Sequence, residues 1–220
     1  SVTGYYDYKA DETAVKVSPK NSFVFGKKLD SPTLSLRKNP NLLSVAPAKI
    51  KVGDIEMEGF AKTENKKLEA KLKTSALNVA VNGVINETLN VNGGLDLAKG
   101  AKEYALLVGE KPQNIKGQSA FNAKIIGKTD NPKIIFALSS PLIEFAGEKI
   151  EKISTSGSYE NKKLTVDKLL ADYKSKNYHL SAPSVTVFDE HGFTLESLKI
   201  NNTLDAKFEY KNGQLNGFEI

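Results

Sequence analysis

Short runs in which apolar and polar residues alternate with a period of two recur along most of this chain. Leu68, Ala70 and Leu72 alternate with Lys and Glu, and Leu77, Val79 and Val81 alternate with Asn and Ala. The pattern returns at Leu89-Val91, Phe121-Ala123-Ile125, Ile134-Phe136-Leu138, Leu164-Val166, Val185-Val187 and Leu204-Ala206-Phe208-Tyr210. Successive side chains of a β-strand point to opposite sides, so each run gives a strand one dry face and one wet face. That is the signature of antiparallel sheets covered on one side. The runs are about five to seven residues long, and about a dozen to fourteen such strands are expected.

The connections agree. Lys211-Asn212-Gly213-Gln214 places Asn-Gly between two alternating runs, a strong hairpin signal because both residues tolerate positive φ. Glu64-Asn65-Lys66-Lys67 and Glu160-Asn161-Lys162-Lys163 occupy equivalent places. Aligned on these turns, Phe60 to Leu68, Tyr159 to Leu164 and Tyr210 to Leu215 form a loose hairpin repeat. One stretch departs from period two. Ala101, Tyr104, Ala105 and Val108 have helical spacing, with Asp96 as a candidate N-cap, Gly109 as a stop and Pro112 beyond. A short helix is expected over 98–109, its apolar side covering an end or edge of the sheet. Pro19, Pro32, Pro40 and Pro47 punctuate the first fifty residues, where strands should be short or at an edge. The expected organisation is an irregular N-terminal part, 1–50, and a curled antiparallel groove, 51–220. The chain opens with no charged-then-apolar leader, which fits either a cytosolic protein or a piece of a longer exported chain, and its ending in mid-pattern favours the second as the expectation.

The residue inventory carries no catalytic constellation. There is no Cys, so thiolate nucleophiles and cysteine-ligated metals are excluded. Only two His residues, His179 and His191, could act as a base. Alternation around Tyr178 and Leu180 turns His179 to solvent, and His191 falls in an Asp-Glu-His-Gly turn. The carboxylate pairs Asp205/Glu209 and Glu144/Glu148 lie on strands with no reason to converge. Neither a metal nor a cofactor is implied. Positive charge gives a formal net of +5, almost wholly from Lys, with Arg37 as the single Arg. Acidic residues interrupt the basic ones, so no nucleic-acid footprint emerges. No apolar stretch reaches the 18 or more residues of a membrane-spanning helix.

An ordered series of phrases carries a family resemblance. Leu95-Asp96-Leu97-Ala98 leads into the helical segment ending Leu106-Leu107-Val108-Gly109. Ile115-Lys116-Gly117-Gln118 then runs through Phe121 to Gly127, followed by Asp130-Asn131-Pro132-Lys133-Ile134. Ile150 to Tyr159 leads to Asn161-Lys162-Lys163-Leu164. From about Ile55 to Leu215 this order resembles the TamB/AsmA-like family of Gram-negative envelope proteins. The resemblance implies a U-shaped, taco-like β groove in the periplasm, whose parent protein is anchored in the inner membrane. It also implies phospholipid transport between the inner and outer membranes, assembly of outer-membrane proteins, or both. The implied partners are phospholipid acyl chains and an outer-membrane barrel of the TamA/BamA type.

Independently of that resemblance, a long one-sided sheet must curl, pair with a second sheet, or hold an apolar ligand, because exposing its dry face costs ~25 cal/mol per Å². The expected groove lining is Leu77, Val79, Val81, Leu89, Val91, Phe121, Ile125, Ile134, Phe136 and Leu138. Two alternatives remain at this point. One is an interaction module that adds client strands to its edges in a chaperone-like manner. The other is a closed β-sandwich or solenoid surface protein, such as an adhesin fragment.

Overall fold

A computed structural model of the protein describes residues 2–7, 11–17, 22–24, 26–30 and 34–219. Among them the chain forms nineteen strands and one α-helix. Each described strand pairing is antiparallel, and most join strands adjacent in sequence. The all-β reading with a single short helix therefore holds. Strand number and length depart from expectation. β12 and β13 each run for 13 residues, whereas β3 has three. By contacts the chain divides into two units, Ser1–Lys116 and Gly117–Ile220.

In the first unit, β1 (Val2–Asp7), β2 (Glu12–Val17), β5 (Leu34–Asn39), β6 (Leu42–Val52), β7 (Ile55–Glu64), β8 (Lys67–Lys73), β9 (Leu77–Val84) and β10 (Thr88–Asp96) pair in that order. β3 (Ser22–Val24) and β4 (Lys27–Asp30) form a hairpin inserted between β2 and β5. The long β6 is flanked end to end by two short strands. Leu42 to Val45 pair with β5, while Lys51 and Val52 pair with β4. Between them the register with β7 shifts from Val45/Ala61 to Ala48/Gly59, and Pro47 lies in that bulge. A residue without an N–H is tolerated there because the ladder is already interrupted. Pro40 occupies the β5–β6 turn. Pro19 and Pro32 lie outside the described residues. β6 itself runs through position 50.

The second unit continues with β11 (Ile115–Ile126), near whose start the division falls, and then β12 (Lys133–Phe145), β13 (Glu148–Glu160) and β14 (Lys163–Tyr173). After these come β15 (Lys176–His179), β16 (Ser184–Phe188), β17 (Gly192–Ile200), β18 (Leu204–Lys211) and β19 (Gln214–Glu219). The two-for-one device recurs. β14 pairs with β16 through Lys163–Val166 and with β15 through Leu170–Tyr173. Two buried serines of this unit satisfy strand carbonyls. The Ser140 hydroxyl bonds the Gln118 and Leu142 carbonyls at 2.7 and 3.1 Å, and the Ser184 hydroxyl donates to Ser197 O at 2.8 Å. Neither hydroxyl is left unpaired, as burial requires.

Helix α1 (Leu97–Val108) starts and stops where its sequence signals stand. The Asp96 side chain accepts the Lys99 amide, and Gly109 closes the helix at φ 78° with its N–H on the Ala105 carbonyl. Two-residue turns at Asn65-Lys66, Asn161-Lys162 and Asn212-Gly213 have positive φ at both positions, the geometry that suits strand twist. The hairpin repeat is real for two of its three members. Tyr159 faces Leu164 and Tyr210 faces Leu215, but Leu68 faces Thr63, and Phe60 lies opposite Lys71 on the other side of the sheet.

One close approach is decisive for the second unit. Gly157 lies between Phe136 and Val166, and a Cβ there would run into the Thr165 carbonyl and stand 3.0 Å from the Phe136 ring. Gly157→Ala is therefore expected to destabilise by ~1–3 kcal/mol through overpacking, read as a lower urea midpoint. Lys66→Gly relieves a lysine held at φ 67°. It should raise stability by ~0.5–1 kcal/mol, the left-handed penalty less the glycine entropy, and an unchanged midpoint would refute that.

Candidate functional site

In the first unit, direct cross-strand pairing lines up an unbroken apolar row. Val15, Leu36, Val45, Ala61, Ala70, Val81 and Val91 stand side by side on β2, β5, β6, β7, β8, β9 and β10. One residue along each strand the row is polar from Arg37 to Asn90, with Ala14 at its β2 end. Ala14, Arg37, Ser44, Lys62, Glu69, Asn82 and Asn90 stand opposite one another in the same way. Facing pairs share a side of the sheet, so the two rows define opposite faces. Leu72, Val79 and Gly93 form a second apolar rung, and Leu77 with Leu95 forms a third. The five expected lining residues of this unit, Leu77, Val79, Val81, Leu89 and Val91, thus lie on one face.

The second unit is less cleanly divided. Ile134, Tyr159, Leu164, Thr186, Leu195 and Phe208 form one row across β12, β13, β14, β16, β17 and β18. Phe136 with Gly157 and Val166, and Leu138 with Thr155 and Leu169, follow on the same face. The opposite face mixes Ser158, Thr165 and Ser197 with Ile135 and Val185. Phe121 and Ile125 are the sheltered positions of β11, alternating with exposed Asn122 and Lys124.

All ten expected lining residues are half-buried, and none reaches the interior. Among the described residues the buried hydrophobic side chains are Val52, Ile55, Ala76, Ala105, Leu195 and Ala206. Three of these are alanines. A closed sandwich of this length would bury far more large side chains. The apolar faces are therefore only partly shielded by the protein itself.

Sequence reading missed an aromatic cluster at one end of the second unit's apolar face. Tyr159 meets Phe188 edge-on at 6.3 Å, Phe188 meets Phe193 at 6.0 Å, and Phe193 meets Phe208 and Tyr210 at 5.7 and 5.6 Å. Such contacts add about 0.5–1.5 kcal/mol each beyond burial. The signal was present: Tyr159, Phe188, Phe193 and Tyr210 all lie beside turns. Antiparallel order brings the β13–β14, β16–β17 and β18–β19 turns to one end.

The candidate ionisable residues lie at the surface, several of them in ion pairs. His179 is exposed, and His191 lies in the β16–β17 turn, where the Asp189 carboxylate accepts the His191 and Gly192 amides. Asp205 pairs with Lys199 at 3.1 Å, Glu209 with Lys211 at 2.6 Å, and Glu144 with Lys149 at 3.3 Å. Hydrogen bonds from Lys174 and then Tyr173 hold Glu148 below the usual carboxylate range. Lys152 and then Asn177 do the same for Asp172. Among the described residues no group of three or more His, Asp or Glu is placed to hold a metal ion. A depression of about 710 Å³ on the first unit opens among Lys62, Glu64, Lys67, Glu69, Lys71 and Asn82. Its lining also includes Leu68 and Ala80, and Ala70 and Val81 of the first apolar row.

Comparison with protein-family models, with curated proteins and with solved structures finds no match.

The lowered carboxylates give a pH dependence of defined sign. Glu64, Asp96, Glu148, Asp172 and Asp189 all titrate below their ordinary values, Asp189 chiefly through the His191 amide. Their stabilisation is complete above the ordinary carboxylate range and is lost as pH falls through the lowered values. Urea midpoints should fall between pH ~7 and pH ~3. About 1 M NaCl should remove part of the share that the lysine pairs of Glu64, Glu148 and Asp172 contribute, and leave that of Asp96 and Asp189, which comes first from backbone amides. A midpoint that rises on acidification would contradict this assignment.

Proposed function

We propose that this chain supplies strand-built apolar surface that shields hydrocarbon chains from water, as a segment of a periplasmic phospholipid conduit between the inner and outer membranes. The observation that supports this most is the unbroken row from Val15 to Val91, backed one residue away by a charged and amide row. Seven strands at ~4.8 Å spacing make that row roughly 29 Å long, against ~15 Å for the hydrocarbon depth of one leaflet. A surface of that length accommodates an extended acyl chain and lets it move along the row, since no polar side chain interrupts it. The half-burial of the row leaves apolar area for an occupant to cover.

The resemblance to TamB/AsmA-like envelope proteins points the same way, and under it an outer-membrane barrel of the TamA/BamA type is the proposed protein partner. Assembly of outer-membrane proteins is the second part of this reading. The exposed strand β1, with Val2, Tyr5 and Tyr6 open to solvent, favours a role for edge pairing in it.

The test uses three variants and a matched control. Purified protein is expected to carry lipid detectable by native mass spectrometry, or to take up a fluorescent fatty acid after delipidation. Val81→Arg and Phe136→Glu should each weaken uptake about tenfold or more, because a charge is placed in the hydrocarbon path. Val79→Arg should act as Val81→Arg does. Asn82→Arg changes charge one residue along β9 but on the polar face, and should bind as wild type does. No uptake by folded wild-type protein, or equal losses from Val81→Arg and Asn82→Arg, would overturn the proposal.

A further inference from the structure

We propose that α1 is a hinged cover over one end of the first unit's apolar face, latched by the Glu103 carboxylate to the turn between β8 and β9. The latch is specific. Thr74 Oγ1 donates to Glu103 Oε2 at 2.8 Å, while the Ser75 amide and hydroxyl donate to Oε1 at 3.1 and 2.6 Å. Thr74 Oγ1 in turn accepts the Ala76 and Leu77 amides, so the carboxylate grips a turn that is itself tied together. Among the described residues, these are the side-chain hydrogen bonds joining α1 to the β8–β9 turn, while the Asp96 cap ties its first turn to β10.

The apolar part of the attachment is slight. Gly100 stands where a Cβ would be 3.1 Å from Leu95 Cδ1 and 3.9 Å from the Ala76 side chain, and the buried helix position is Ala105. Of the large apolar side chains of the helix, Tyr104 is 62% exposed and Leu106 and Val108 are exposed as well, while Leu97 and Leu107 are half-buried. Small residues permit close approach but remove little area from water. A helix of this length is marginal without tertiary contacts, so its attachment decides whether it stays in place. The chain then passes Gly109 in the left-handed region and remains exposed through Asn114, which leaves the C-terminal end free to move.

Lifting α1 uncovers the Leu77–Leu95 rung, the terminal member of the apolar face. Under the proposed function, which this inference extends, α1 controls entry of a hydrocarbon chain at that end. The latch itself depends only on the contacts above.

Hydrogen exchange of the full chain, read by mass spectrometry on Glu103→Gln and Glu103→Ala, tests the cover directly. Peptides spanning 97–108 should exchange at least about tenfold faster in both variants while β9 and β10 keep their protection. A fluorescent fatty acid should enter the variants faster than wild type. Unchanged exchange in α1, or loss of protection in β9 and β10 together with it, overturns the cover. Accelerated exchange in α1 with wild-type uptake kinetics overturns its gating role. If neither protein binds fatty acid while α1 alone accelerates, the latch stands and the hydrocarbon occupant falls. If uptake is normal and α1 is unaffected, the reverse holds.

Discussion

Period-two alternation, held in register across antiparallel partners, is the constraint on which the rest of this structure depends. A one-residue slip of any strand would carry its apolar side chains to the wet face. Register is thus fixed wherever Val or Leu on one strand must meet its like on the next, as from Leu36 to Val45 and from Ala70 to Val81. Tight turns reinforce it, since a two-residue connection leaves little freedom to slide. Where long strands need to bend, one bulge is spent at a time. The Val45/Ala48 shift beside Pro47 and the Glu151/Ser154 shift in β13 are examples.

This arrangement distributes stability unlike an ordinary two-layer domain. Among the described residues large side chains are rarely sealed from water, and Val52 and Ser140 are the most deeply enclosed. Backbone ladders and modest cross-strand contacts must supply much of the cohesion. Glycine then matters by letting ladders and rings approach. At Gly157 the Phe136 ring covers a position with no side chain of its own, an aromatic substituting for missing packing.

The strand class, the helix with both caps, the hairpin turns and the alternation of the lining positions on β9, β10 and β12 were legible in the sequence, because each depends on neighbours within a few residues. Strand length was not. β11, β12 and β13 reach 12 or 13 residues; Gly117 and Ser119 dilute the apolar pattern of β11, Pro141 interrupts β12 and a positive φ at Lys152 breaks β13, so each reads as a shorter run. Prolines near the N terminus read as punctuation, yet Pro47 sits within a strand, at a bulge where no ladder bond is required of it. The aromatic cluster was hidden for another reason. Tyr159, Phe188 and Phe208 are far apart in the chain, and only the pairing order places them at one end. Glu103 was equally silent, since nothing local to a helix marks a carboxylate whose partners lie nearly thirty residues earlier.

The side-by-side rows have an evolutionary corollary. Each strand donates one residue to each row, so gaining or losing a hairpin lengthens or shortens the oily track by about 10 Å without altering which side it is on. Span is then set by copy number, and the chemistry of the track by substitution at single positions. A lineage can tune reach and grip separately, a freedom that a protein with one central core does not have.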